Sequence, residues 1–336
     1  MDIGLVVAVA LAFVFAFTNG FHDSANSIAT LVATRSARPG PALVLASAGI
    51  VVGPFMLGSA VAATIAGISD VSPDETVEVV IAALLAALAW NVATWYRGLP
   101  SSSSHALVGG LVGATIAAAG IDAVNWGGFD GWRPVGVVGV LVGLAISPLI
   151  GAAAAFVVLR VLRRALRRGT QRFDGPVVRS QWFTSGLLAI SQGANDVQKS
   201  VGIVAAVLLA DGVTSSLVSP TWAKLGAAIA MASGTALGGW RIVRTIGKRI
   251  YRLRPLDGLA SQAGSAGVLL GASIAGAPVS TTQVVASSVV GVGGGRRRWR
   301  RIRWGVVREI GLAWVTTMPA TFVLAALLLG VWRLVS

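Results

Sequence analysis

No cysteine occurs in the 336 residues, so disulfides, thiol nucleophiles and iron–sulfur clusters are excluded. Only two histidines are present, His22 and His105. Charge is scarce too: 12% of residues are charged against 55% hydrophobic, and the mean hydropathy of +0.78 lies outside the range of an ordinary soluble domain. Acidic residues are the rarer sign, 13 against 27 basic, for a net charge of +14. Such an excess can mark a nucleic-acid binder. Here the Lys and Arg fall in short segments between apolar runs, the pattern of the positive-inside rule, and no nucleic-acid partner is expected. Met1 to Phe17 lacks the basic n-region and small-residue cleavage site of a signal peptide and reads as a retained first helix.

What is present is a series of nearly uncharged segments of 18 or more residues, each long enough to cross a hydrocarbon core of about 30 Å. The 42 glycines and many alanines suit close helix packing in lipid. The fold expected is an all-α polytopic membrane protein.

Two polar decapeptides interrupt this background: TNGFHDSANS at Thr18 to Ser27 and SQGANDVQKS at Ser191 to Ser200. Each has Asp at its sixth position, Asp23 and Asp196. An ionisable group at bilayer depth costs roughly 2.5 to 3.5 kcal/mol on insertion scales and usually marks an ion or substrate route. Gly20 in the first decapeptide frees the backbone and suggests a helix broken around a polar cavity. Two further polar islands follow, PSSSSH at Pro100 to His105 and PVSTTQ at Pro278 to Gln283.

Self-comparison shows a duplication. Asn19 aligns with Gln192, Gly20 with Gly193, Asp23 with Asp196 and Ser27 with Ser200. Downstream, Pro100 aligns with Pro278, Ser102 to Ser104 with Ser280 to Thr282, and His105 with Gln283. The islands lie 77 residues apart in the first half and 82 in the second. A first repeat over 1–159, a basic cytoplasmic connector over 160–180 and a second repeat over 181–336 account for this order. The basic segments set the orientation: the first repeat makes an odd number of crossings, so the second is inverted and both termini are extracytoplasmic. Inverted repeats place their sites at the midplane, between interrupted helices. The expected architecture is thus two inverted-topology repeats with broken helices and paired Ser/Thr-rich re-entrant hairpins.

The chemistry of the islands points to an anion and a cation. Ser102, Ser103, Ser104, Ser280, Thr281 and Thr282 offer six hydroxyls just before fresh helices, where free N–H groups and the dipole favour an anion. The alternative is that they simply cap those helices. Asp23 and Asp196, with Asn19, Asn26, Gln192 and Asn195, supply hard oxygen ligands for a cation, and a carboxylate could instead carry a proton. Lys199 either offsets charge on a multiply charged anion or neutralises Asp196 at i, i+3 spacing. His22 and His105 are proton-relay candidates or hydrogen-bonded wall residues. An intramembrane hydrolase lacks a nucleophile–base–orienter set, so no enzyme activity is expected.

At GANDVQKS (Gly193 to Ser200), GFHDSANS (Gly20 to Ser27), PSSSSHALVGG and PVSTTQVVASS, the sequence resembles the inorganic phosphate transporter (PiT) family. It is most similar to the bacterial low-affinity branch. The resemblance implies a multi-pass plasma (inner) membrane symporter of inorganic phosphate, free or as a metal–phosphate complex. It also implies a homodimer working by alternating access. By position, Asp23, Asn26, Asn195 and Asp196 would serve cation coupling, and Ser102 to Ser104 and Ser280 to Thr282 would hold phosphate. FHD stands where the family motif has AND, QK where it has AN, and Gln283 where His is frequent. The expected coupling ion is H⁺, with Na⁺ or a different oxyanion such as sulfate as alternatives. No cofactor and no protein-bound metal are expected.

Overall fold

Long runs of Ala, Val and Leu with few charges and few prolines form long helices, because nothing in them competes with the i to i−4 ladder. The computed structural model describes residues 3–56, 58–130, 133–166, 174–217 and 219–335. The first half of the chain contains α1 (Ile3–Ala33), α2 (Pro39–Met56), α3 (Ala60–Ala66), α4 (Pro73–Arg97), α5 (Ser103–Ala119) and α6 (Gly136–Ala165). The second contains α7 (Asp174–Ala210), α8 (Thr221–Leu237), α9 (Trp240–Arg244), α10 (Pro255–Ile274), α11 (Thr281–Gly295) and α12 (Trp304–Val335). A two-stranded ribbon pairs β1 (Gly128–Asp130) with β2 (Arg133–Val135) ahead of α6. Among the described residues α1, α2, α4, α6 and α12 are long and apolar enough to cross a membrane.

The polar decapeptides do not break their helices, contrary to the sequence expectation. α1 runs unbroken through Thr18 to Ser27 for 31 residues, and α7 through Ser191 to Ser200 for 37. The polar side chains here find partners across helices, so the backbone has no need to open. The two glycines serve close approach instead. A Cβ on Gly20 would sit 2.0 Å from the Met231 carbonyl oxygen of α8, and one on Gly193 2.4 Å from the Ile50 carbonyl oxygen of α2. Small residues at such crossings let helices pack backbone to backbone, as in lipid.

These approaches come in matched sets. α1 packs on α8 and α7 on α2; α5 packs on α12 and α11 on α6. Gly113 of α5 meets the Phe322 carbonyl oxygen of α12, and Gly291 of α11 meets that of Ala152 of α6. Exchanging the two halves of the chain maps each contact onto its counterpart. The real interruptions lie at the other two islands. α4 ends at Gly98, whose left-handed conformation (φ 66°) suits glycine, and α5 starts at Ser103. α10 ends at Ile274 and α11 starts at Thr281. At 1.5 Å per residue, α5 (17 residues) and α11 (15 residues) reach about 25 and 22 Å, short of the roughly 30 Å a full crossing needs. The segment expected as a connector, 160–180, is partly helical: α6 carries Arg160, Arg163 and Arg164 in its last turns, and α7 begins at Asp174. Residues 167–173 lie outside the described residues.

Candidate functional site

Two long helices supply the charges. On α1, at 3.6 residues per turn, His22, Asp23, Asn26 and Ser27 share one inward region; on α7, Gln192, Asn195, Asp196 and Lys199 do the same. All eight are buried, and Lys199 is 0% exposed. Two short helices supply the hydroxyls from their first turns. Ser102 caps α5 by accepting from the His105 amide at 3.2 Å, and Ser280 caps α11 by accepting from the Gln283 amide at 3.3 Å. At these two positions the hydroxyl oxygen is engaged as a helix cap, worth about 1 kcal/mol. The caps leave the next two residues of each helix, Ser103 and Ser104, Thr281 and Thr282, facing the charges.

Those four hydroxyls join the carboxylates into one network. Thr282 Oγ1 donates to Asp23 Oδ1 at 2.8 Å, and Ser103 Oγ to Asp23 Oδ2 at 3.2 Å. Thr281 Oγ1 donates to Asp196 Oδ2 at 3.0 Å. Asn26 Nδ2 donates to both threonine oxygens, at 3.3 and 3.2 Å, tying the Asp23 side to the Asp196 side. Lys199 Nζ lies 2.5 Å from Asp196 Oδ1 and also donates to Ser104 Oγ at 2.7 Å and the Val279 carbonyl at 3.2 Å. Ser104 Oγ in turn donates to that same carbonyl at 3.3 Å, so the N-termini of α5 and α11 meet directly. Lys199 thus makes the i, i+3 pair with Asp196 and reaches both short helices.

His22 joins the network and His105 does not. His22 Nδ1 lies 2.9 Å from Asp23 Oδ1, and in the tautomer with the proton on Nδ1 it donates to that carboxylate. Its Nε2 then accepts from Ser101 Oγ at 3.1 Å, and the Ser101 and Thr94 hydroxyls are 2.8 Å apart. His105, the third residue of α5, makes no side-chain hydrogen bond to the network, and its buried Nδ1 has no partner among the described residues. Gln192 bridges to α1 by accepting from Ser27 Oγ at 2.6 Å and donating to the Asp23 carbonyl at 3.1 Å. Asn195 donates to Ser273 and to the Ala277 carbonyl, both at 3.3 Å. Its Oδ1, the Oδ1 of Asn26 and the whole amide of Asn19 are buried without partners among the described residues.

Several members were missed by sequence reasoning. Ser101 and Thr94 complete the His22 environment. Asn91, one turn before Thr94 on α4, is buried with both amide atoms unpartnered among the described residues. A lone Asn inside an apolar run was the available signal. Gln198 Nε2 donates to the Gly58 carbonyl at 2.6 Å, and its Oε1 accepts from the Val61 amide at 3.1 Å, anchoring the start of α3.

The chemistry available is therefore a buried cluster of hydroxyl donors, two carboxylates, one ammonium and one imidazole, with the first-turn amides of two helices beside it. The first two amides of a helix have no intrahelical acceptor and suit an anion. Known proteins match the chain over nearly its whole length. The profile described as "Phosphate transporter family" matches twice, at residues 19–180 and 170–325. A Bacillus subtilis (strain 168) protein named "Probable low-affinity inorganic phosphate transporter" is 38% identical over 336 residues, covering 97% of this chain and 97% of its own. Proteins of the same name from Rhizobium meliloti (strain 1021) and Mycobacterium tuberculosis (strain ATCC 25618 / H37Rv) are 39% and 40% identical. They cover 96% and 97% of this chain, and 95% and 77% of their own lengths. A solved structure of the sodium-dependent phosphate transporter superposes with a TM-score of 0.87 at 26% identity, over 100% of both chains. This chain is a multi-pass membrane protein and belongs to the phosphate transporter family.

Proposed function

We propose that this chain is a secondary active symporter that imports inorganic phosphate across the plasma membrane, coupled to protons, by alternating access between two inverted repeats. The reciprocal packing of α1 on α8 with α7 on α2, and of α5 on α12 with α11 on α6, supports the repeat reading. One observation carries the coupling. Thr281, Thr282 and Ser103 each spend their single hydroxyl proton on a carboxylate.

A hydroxyl has one proton to donate. It serves the carboxylate or a phosphate oxygen, and not both. Protonating Asp23 or Asp196 removes the carboxylate's demand and frees the hydroxyl to turn onto the anion. Charge points the same way. With both carboxylates ionised, Lys199 charged and His22 neutral, the pocket carries one net negative charge before any phosphate enters. Two like charges about 5 Å apart repel by roughly 3 kcal/mol at an effective dielectric near 20, so a divalent anion enters only with cations beside it. Asp23 with His22, whose Nε2 reaches Ser101, forms a relay suited to a proton.

The phosphate is held by Ser103, Ser104, Thr281 and Thr282 and the amides of their turns, with Lys199 compensating charge. Purified protein in proteoliposomes takes up labelled phosphate under an imposed pH gradient in sodium-free buffer. Strict dependence on Na⁺ overturns the proton assignment. Sodium is the second reading, because the unpartnered Oδ1 atoms of Asn26 and Asn195 are hard oxygen ligands and the solved structure that resembles this chain is of a sodium-dependent transporter.

A further inference from the structure

Away from the buried network, the C-terminal turns of α6 and α11 enclose a cavity of about 480 Å³ lined by Arg160, Arg163, Arg164, Gly295, Arg296 and Arg297. Arg296 pairs with Asp257, its Nε 2.5 Å from Oδ1. Among the described residues no carboxylate pairs with the other four arginines, although other arginines of the chain do form ion pairs. Arg163 Nη1 is held by the Gly295 carbonyl at 3.3 Å, and Arg160 lies 5.1 Å over the Phe156 ring, so two of the four have fixed positions. Guanidinium groups in this arrangement match the oxygens of a phosphate group, which they bind in bidentate fashion.

Two features say where that phosphate group comes from. On α6, Val157 and Val161 are 55% and 60% exposed and, with Arg164, follow the i, i+4, i+7 spacing of one helix face. This apolar stripe ends at the cavity and is ready to lie along an acyl chain. Beside the cavity, Trp299 packs over Gly294 and stacks on Trp304, ring centroids 6.4 Å apart, with both rings about half exposed. Exposed tryptophans take the headgroup level of a bilayer. The cavity therefore opens at the depth where phosphodiesters sit.

We infer that this arginine cavity is a binding site for the phosphodiester headgroup of an anionic phospholipid, whose acyl chain runs along the Val157–Val161 face of α6. Basic pockets between membrane helices bind such headgroups by the same chemistry. A free inorganic phosphate offers the same oxygens without the acyl chain, so the test separates the two.

Purified protein in neutral detergent is incubated with phosphatidylglycerol, with phosphatidylcholine, or with inorganic phosphate alone, and retained ligand is counted by native mass spectrometry. Phosphatidylglycerol is retained and phosphatidylcholine is not. The triple variant Arg160→Gln, Arg164→Gln, Arg297→Gln loses about 100-fold in affinity, from roughly fivefold per arginine. The corresponding triple Lys variant keeps the charge but loses the bidentate fork, so its affinity falls between those of the parent and the triple Gln variant. If the triple Gln variant does not fold, Arg164→Gln and Arg297→Gln are measured singly, each with about a fivefold loss. Equal retention by the Gln variants, equal binding of phosphatidylcholine, or displacement of the lipid by inorganic phosphate at equal concentration overturns the inference.

Discussion

Replacing Lys199 with Met tests whether the ammonium belongs to the Asp196 carboxylate or only fills space. Lys199 is fully buried, contacts Asp196 Oδ1 at 2.5 Å, and donates to Ser104 and to the Val279 carbonyl. Met matches its length and apolar stem but leaves Asp196 with Thr281 as its remaining donor. Removing one partner of a buried pair costs about 3 to 5 kcal/mol, because the surviving charge is left uncompensated. The Val279 carbonyl keeps the Ser104 hydroxyl as donor, so little is added there. The double variant Lys199→Met, Asp196→Asn removes both charges, and the Asn oxygen still accepts from Thr281. It should recover most of the lost stability, giving a coupling energy of about 2 to 4 kcal/mol in the cycle. Stability is read from the thermal unfolding midpoint in detergent by tryptophan fluorescence, and transport from phosphate uptake in proteoliposomes. The double variant folds like the parent and does not transport. A single Lys199→Met variant as stable as the parent, or a double variant no more stable than the single, refutes the reasoning.

Three further outcomes follow from the packing and the network. Gly193→Ala places a methyl 2.4 Å from the Ile50 carbonyl oxygen and should destabilise by about 1 to 3 kcal/mol. Gly143→Ala, inside α6 with no neighbour within 4 Å, should be neutral or stabilising by up to about 1 kcal/mol, and unfolding midpoints separate the two. Thr282→Val removes the donor to Asp23 and the acceptor for Asn26 and should abolish uptake, while Thr282→Ser keeps the hydroxyl and retains it; equal uptake by both would show that the hydroxyl is idle.

The convergence of the islands was legible in the sequence because it rests on spacing. Asp23 and Asp196 fall at matching positions, and a triplet of hydroxyl residues follows each at nearly the same distance. Partners across helices were not legible. Gly20 was read as a breaker, since glycine in a polar decapeptide fits that role as well as it fits a crossing. Only the Met231 carbonyl beside it decides the matter. Ser102 and Ser280 were read with their neighbours as anion ligands, with helix capping as the alternative, and the sequence did not separate them from those neighbours. The i to i+3 bond that makes each a cap depends on where the helix begins, which sequence places only to within a few residues. Ser101 was left out of the candidate site, and its bond to His22 joins residues 79 positions apart.

The wiring of the four helices leads to one more consequence. Each short helix serves both long ones. From α11, Thr281 donates to Asp196 and Thr282 to Asp23. From α5, Ser103 donates to Asp23 and Ser104 accepts from Lys199, the partner of Asp196. Asn26 then holds both threonine oxygens at once. If either carboxylate is neutralised, the hydroxyls of both short helices are redistributed, so the two carboxylates act as one unit. Residues that act as a unit lose function non-additively. Asp23→Asn and Asp196→Asn should each reduce initial uptake rates in proteoliposomes to the background of empty vesicles, and the double variant should be no worse than either single. Two independent sites would give partial activity in each single variant and a product of the two losses in the double, and that pattern would separate the carboxylates into distinct sites.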